Sequence, residues 1–238
     1  MRGEPDPGDS SVERLTPVVR RLILLRHGET LYNASQRMQG QLDTDLSDVG
    51  VEQARVAGRA IATRSPLVIL SSDLRRAHET AQAIGAVTGQ DVTTDSRLRE
   101  THLGDWQGMT HHEVDETMPG ARRVWRDDST WTPPNGESRV QVAERMLPVV
   151  DELVAGLDDW GTGQTPDAPV VLVAHGGCIA ALTAGLLALP VANWPVFGGL
   201  ANTSWVQLSG HSTTADDAPV WRLDVWNATA ESADLGVQ

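Results

Sequence analysis

Two uninterrupted apolar runs stand out along the chain, Leu22-Ile23-Leu24-Leu25 and Val170-Val171-Leu172-Val173-Ala174. Each is too short for a helix and lacks the alternation of a half-exposed strand. Each therefore predicts a strand buried on both faces of a parallel sheet. Leu67 to Leu70 and Val92 to Thr94 predict two further strands, and Thr203 to Leu208 and Val220 to Trp226 a last pair joined by a polar turn. Helical spacing fills the intervals. Ser47 reads as the N-cap of a helix to about Thr63, and Leu74 to Thr88 as a helix stopped by Gly89. Ser138 reads as the cap of a long helix to about Leu157, kinked at Pro148, with Val142, Met146, Val149, Val150, Leu153 and Leu157 on its core face. A final helix should follow the second apolar run to about Leu189. Strand and helix alternate, which predicts a three-layer α/β/α sandwich with a mainly parallel sheet.

The segments between these elements divide into three kinds. Residues 1–20 are rich in Pro, Gly, Asp, Ser and Arg and predict a disordered or loosely attached tail, with residues 21–227 as one domain and 228–238 frayed. Residues 158–169 read as a linker. The loop over residues 27–46, the mixed stretch from Arg97 to Gly108 and the insertion over residues 109–137 are different. They are long, they carry polar groups, and long loops in a packed domain are commonly functional. The insertion, with short helical pieces around Trp125, Trp131, Pro133, Pro134 and Gly136, predicts a lid over the sheet edge.

Both buried strands end in His-Gly, the first at Arg26-His27-Gly28 and the second at His175-Gly176. Ligands of open α/β sheets bind outside the carboxyl ends of the strands. Two imidazoles are thus expected at one edge, each followed by a glycine that allows close approach of backbone and ligand. Arg75 and Arg76 open the helix after the second strand, and adjacent residues point in different directions, so one of them can reach the edge. The Arg37-Met38-Gln39-Gly40-Gln41 segment offers further polar groups and a glycine nearby.

Charge and composition narrow the chemistry. A net charge of −13 and a pI near 4.8 argue against nucleic acid or an anionic membrane as partner, so any anionic substrate needs a local basic focus. All 19 basic residues are arginine, which excludes a Schiff base or a P-loop lysine. Cys178 is the one cysteine and no arginine follows it within nine residues, so it reads as a small buried residue rather than a phosphatase nucleophile. The N-terminus has no apolar core of signal-peptide length, no run approaches membrane-spanning length, and a cytoplasmic protein is expected. His111 and His112 are adjacent, cannot face one metal from one helix face, and read as surface residues; no metal or other cofactor is expected.

Histidines, arginines and a carboxylate at one edge suit phosphoryl transfer to a histidine. A neutral imidazole is a competent nucleophile, and the charge on the transferring group would meet Arg26, Arg76 and His175. A loop carboxyl such as Glu100, raised by a partly dry site, would protonate the leaving alkoxide.

At these residues the chain resembles the histidine phosphatase superfamily, with its phosphoglycerate mutase-like fold. The matching stretches are Arg-His-Gly-Glu-Thr at 26–30, Ser-Ser-Asp-Leu-Arg-Arg-Ala at 71–77, Leu-Arg-Glu at 98–100 with Gly-Asp-Trp-Gln-Gly after it, and Ala-His-Gly-Gly at 174–177. The resemblance implies His27 as nucleophile, Arg26 and Arg76 as phosphate clamps, Asn33 as a phosphate contact, Glu100 as proton donor and His175 as a second imidazole. Gln39, Gly40 and Gly176 complete the expected binding set. Longer stretches at 37–44, 99–108, 189–195 and 221–227 resemble mycobacterial members of that family. They imply a phosphorylated sugar acid as substrate, a glucosylated 3-phosphoglycerate of methylglucose lipopolysaccharide biosynthesis, and a homodimer. The alternatives are a mutase, a phosphatase of broad or other specificity (another sugar acid or a nucleotide-loop ester), and a non-catalytic binder of phosphorylated ligands.

Overall fold

The computed structural model describes residues 17–233. Most of the tail expected over residues 1–20 lies outside them, as do the last residues, 234–238. Six strands form one sheet: β1 (Val18–Arg26), β2 (Val68–Ser71), β3 (Val92–Thr94), β4 (Val170–Ala174), β5 (Trp205–Ser212) and β6 (Val220–Ala228), in the order β3-β2-β4-β1-β5-β6. The pairings among β3, β2, β4 and β1 are parallel, while β5 and β6 are antiparallel additions.

The unalternating apolar runs have a direct cause. Leu22 and Leu24 enter one core with Val170 and Leu172, whereas Ile23 and Leu25 enter another with Val171 and Val173. The first core is covered by α6 (Arg139–Gly156) and α7 (Gly176–Leu186), and the second by α2 (Asp48–Ala62) and α3 (Arg75–Thr88). A strand with a helix layer on each face has no solvent side, so every position along it can be apolar. Ser47 and Ser138 accept backbone N–H groups as N-caps, and Gly89 closes α3 at φ 71°.

Three boundaries differ from expectation. β1 begins at Val18, so residues 18–20 belong to the sheet rather than the tail. The parallel partner β4 pairs only from Leu22, but antiparallel β5 reaches back to pair Val18 with Ser212. Arg20 is buried there, donating to Ser212 Oγ at 3.0 Å and to the Ala215 carbonyl at 2.6 Å. At the other end, Ala228 pairs with Trp205 and Ala230–Ala233 form a helical turn, α8, so residues 228–233 are ordered into the fold. Finally, α7 stops at Leu186 instead of Leu189. Ala188 adopts φ 50°, and the Leu189 and Ala188 amides close back on the Ala184 and Gly185 carbonyls, a Schellman ending built without glycine.

The insertion carries α4 (His111–Thr117) and α5 (Ala121–Asp127), and the preceding loop carries a short helix, α1 (Leu31–Ala34). A separate apolar cluster of Met38, Leu103, Trp106, Val114 and Ala121 joins the two, with Trp125 and Trp131 packed on it. Backbone hydrogen bonds from Met38 to Met109 and from Gly108 to Met38 stitch loop to lid beside the carboxyl ends of β1 and β4.

Candidate active site

Register decides the site. Arg26 lies opposite Ala174 across the β1–β4 pair, and the His27 amide donates to the Ala174 carbonyl at 3.0 Å, so the next residue of each strand is a histidine at the same level. The rings of His27 and His175 stand 5.1 Å apart, centroid to centroid, at 59°. Both are buried. Their immediate surroundings differ. His27 Nδ1 lies 2.6 Å from the Gly28 carbonyl oxygen, an acceptor only, so Nδ1 carries the proton and Nε2 keeps the lone pair. His175 Nε2 lies 3.0 Å from Ser72 Oγ, while its Nδ1 is buried without a partner.

Burial holds both imidazoles well below their usual proton affinity, and the nearby Arg76 and Arg26 cations act in the same direction. At neutral pH both rings are therefore uncharged. Arg76 is almost wholly buried, and burial lowers it to about 10, so it remains a cation. Its Nη1 donates to the Leu42 carbonyl at 2.7 Å and its Nη2 to the Gly40 carbonyl at 2.8 Å. Arg26 donates through Nη1 to the Leu200 carbonyl. Backbone carbonyls thus fix both guanidinium planes, and the Nε of each is buried without an acceptor.

Glu100 enters from the loop after β3. Its Oε1 accepts the amides of Thr101 at 2.8 Å and Cys178 at 2.9 Å, and Oε2 accepts that of Gly177 at 3.0 Å. The carboxyl is therefore seated on the first turn of α7, directly after His175. Arg145 holds the backbone beneath it by donating to the Glu100 carbonyl at 3.0 Å. The second glycine after His175 has a specific purpose here: a Cβ on Gly177 would lie 2.7 Å from Glu100 Oε1. Gly28 is different from expectation. A Cβ there would lie 2.5 Å from the Gly50 carbonyl oxygen, so it makes room for α2 and not for a ligand.

A cavity of about 270 Å³ opens on this group and is lined by Arg26, His27, Asn33, Gln39, Gly40, Arg76 and Glu100. Asn33 caps α1 reciprocally with Thr30, and its Oδ1 also accepts from Asn202 at 3.3 Å. Gln39 Oε1 accepts the hydroxyls of Thr30 and Thr44. A larger cleft of about 640 Å³ adjoins it, lined by Gly176, Phe197, Trp194, Arg126 and Arg139, with Arg26, Glu100, Thr101, His111, Trp125 and Gly177 common to both. Gly176 therefore lies on the wall of the cleft, and Gly177 on the walls of both. His111 is exposed yet stands at both mouths, and among the described residues no cluster of metal-ligating side chains is found. Cys178 is fully buried, and burial raises its thiol far above its usual range.

Ser72, Gly177, Arg145 and Leu200 were not singled out for the site by sequence reasoning. Ser72 lay within the recognised 71–77 stretch, which was its only signal. Leu200 acts through a backbone carbonyl, for which side-chain identity carries no signal.

A three-layer α/β fold with paired histidines and fixed arginines at the carboxyl edge of its sheet defines a class of protein built to hold a tetrahedral oxyanion against an imidazole. The family model of the histidine phosphatase superfamily (branch 1) matches residues 22–229, and the chain belongs to that superfamily. Two glucosyl-3-phosphoglycerate phosphatases are among its relatives. That of Mycolicibacterium vanbaalenii is 64% identical over 222 residues, covering 91% of this chain and 98% of the relative. That of Mycobacterium tuberculosis is 60% identical over 219 residues with the same coverage. A solved structure of mycobacterial glucosyl-3-phosphoglycerate phosphatase in complex with VO3 superposes with a TM-score of 0.86 at 60% identity, over 88% of this chain and 100% of that one.

Proposed function

We propose that the protein is a metal-independent phosphatase that hydrolyses glucosyl-3-phosphoglycerate to glucosylglycerate and phosphate through a phosphohistidine on His27. The observation that carries the chemistry is the orientation of His27, whose Nδ1 is engaged by Gly28 so that Nε2 is the nucleophilic nitrogen. The substrate is inferred from relatives of that activity that match nine-tenths of the chain.

In the first step Nε2 attacks phosphorus, a P–N bond forms and the P–O bond to the glycerate C3 oxygen breaks. Arg26, Arg76 and the Nδ1–H of His175 meet the charge on the equatorial oxygens. The leaving alkoxide takes its proton from Glu100. Oε2, with one backbone donor against the two on Oε1, is the oxygen with room for that proton. In the second step Glu100 accepts a proton from water as the oxygen attacks phosphorus, the P–N bond breaks, and the lone pair returns to His27.

The test is phosphate release without added metal from glucosyl-3-phosphoglycerate, mannosyl-3-phosphoglycerate, 3-phosphoglycerate and α-ribazole phosphate, with phosphate-labelled substrate quenched during turnover. The expected outcome is the highest kcat/KM for the glucosyl ester, label on His27, and a loss of at least about 1,000-fold in His27→Ala. Conversion of 3-phosphoglycerate to 2-phosphoglycerate would make it a mutase, and binding without turnover a regulator. We also read the protein as a cytoplasmic homodimer. The lone buried thiol is the support for the location, and light scattering should give twice the 25.6 kDa of one chain.

A further inference from the structure

Most of the described arginines are ion-paired with carboxylates, among them Arg75 with Asp43 and Asp45, Arg97 with Asp95 and Glu152, and Arg145 with Glu137. In a chain of net charge −13 this is the expected state of a guanidinium. Among the described residues without such a partner, Arg26 and Arg76 flank His27, and Arg126 and Arg139 line the cleft next to it. Of the two acids in that cleft, Asp127 pairs with Arg123 at 3.5 Å and Glu100 accepts backbone amides, and neither makes an ion pair with Arg139, on which both act at longer range.

Arg139 is held in place rather than left to solvent. Its guanidinium lies over the Trp125 ring, 5.4 Å from the centroid, and its Nη1 donates to the Arg126 carbonyl at 3.0 Å. Stacking occupies a face of the fork and the Arg126 carbonyl one end of it. The Nε and Nη2 donors have no acceptor among the described residues. Two parallel N–H groups on one edge of a fixed planar cation match the two oxygens of a carboxylate.

The cleft and the phosphate pocket share Arg26, Glu100, Thr101, His111, Trp125 and Gly177. A phosphate at His27 therefore leaves the remainder of its ester facing this arginine. We propose that Arg139, supported by Trp125 and Arg126, receives the carboxylate of the leaving group, and so selects phosphorylated sugar acids over neutral sugar phosphates. The inference rests on the function proposed above, and names the group by which that site recognises its substrate.

The test compares esters that differ only in the carboxylate. Wild-type kcat/KM for glucosyl-3-phosphoglycerate should exceed that for 2-O-glucosylglycerol 3-phosphate by at least about tenfold, the scale of a charge-assisted hydrogen bond. In Arg139→Gln that ratio should collapse to under about threefold, mainly through KM, and Arg139→Lys, which keeps the charge without the fork, should fall between. A wild-type ratio near one, an unchanged ratio in the variant, or an equal fall on both esters would overturn the proposal. Product inhibition of the wild type gives the same comparison without any variant: glucosylglycerate should inhibit at lower concentration than glucosylglycerol, and equal inhibition counts against the carboxylate contact. If neither glucosyl ester is hydrolysed, the function proposed above is wrong. The ratio for 3-phosphoglycerate against glycerol 3-phosphate then decides the role of Arg139 on its own.

Discussion

The two histidines share a level of the sheet and a depth of burial, yet their hydrogen-bond partners differ. The Gly28 carbonyl accepts the Nδ1 proton of His27 and leaves the lone pair on Nε2, as the proposed attack on phosphorus requires. Ser72 Oγ accepts the Leu74 amide at 3.3 Å and lies 3.0 Å from His175 Nε2; donation of its own proton to Nε2 would place the His175 proton on Nδ1, the donor that the proposed first step needs. Ser72→Ala should free that tautomer and lower kcat about tenfold or more, while Ser72→Thr should retain most of it; imidazole nitrogen shifts in NMR report the tautomer directly. A pH effect follows from the same burial. Below about 6.5 an unfolded imidazole takes up a proton that the folded ring refuses, so the unfolded state binds more protons there. Stability is then complete above pH 6.5 or so, and declines as pH falls toward the depressed folded values, by up to about 1.4 kcal/mol per pH unit for each ring. Urea unfolding between pH 7.5 and 5 should show a shallower decline in His175→Gln than in the wild type. Equal slopes would mean that the ring is not held neutral.

At the level of elements, the contact between the first His loop and α2 is a backbone-on-backbone approach. A Cβ on Gly50 would lie 2.0 Å from the Glu29 carbonyl oxygen. Helix propensity alone says that alanine at a helical glycine stabilises by about 1 kcal/mol. Here the clash should win. Gly50→Ala is expected to lower Tm and to reduce kcat, because displaced Glu29 moves the backbone next to His27. Higher Tm with unaltered kcat would show that the loop yields freely. The lid depends on Trp106, which is 1% exposed and packs edge-on to Trp125 at 6.0 Å and against Trp131 at 5.4 Å. Trp106→Ala should cost about 3–5 kcal/mol if the whole molecule feels it, and raise KM through Trp125 even where the fold survives. Trp106 is thus a packing residue, and Trp125 the tryptophan that lines both cavities. Their common signature in sequence, an indole in an irregular loop, does not tell them apart.

For the molecule as a whole, a surplus of acid coexists with a basic focus at one sheet edge, where Arg26, Arg76, Arg126 and Arg139 converge on two joined cavities. In the proposed reaction these fixed guanidinium groups would supply the charge that a metal supplies elsewhere. Dialysis against EDTA should accordingly leave turnover unaltered, and loss of activity restored by a divalent cation would replace the phosphohistidine scheme.

The order of strands and helices, the double burial of β1 and β4 and the delivery of His27 and His175 to one edge were legible along the chain, because burial and turn chemistry are written locally in residue type and period. The motif stretches likewise carried Arg26, Arg76 and Glu100. Tertiary structure alone decided the rest. The extension of β1 to Val18 depends on how far β5 reaches, the fixing of the Arg76 guanidinium on where the Gly40 and Leu42 carbonyls lie, and the seat of Glu100 on amides of a helix that starts more than seventy residues later. These are matters of distance between segments remote in sequence, and such distances exist only once the chain has closed on itself.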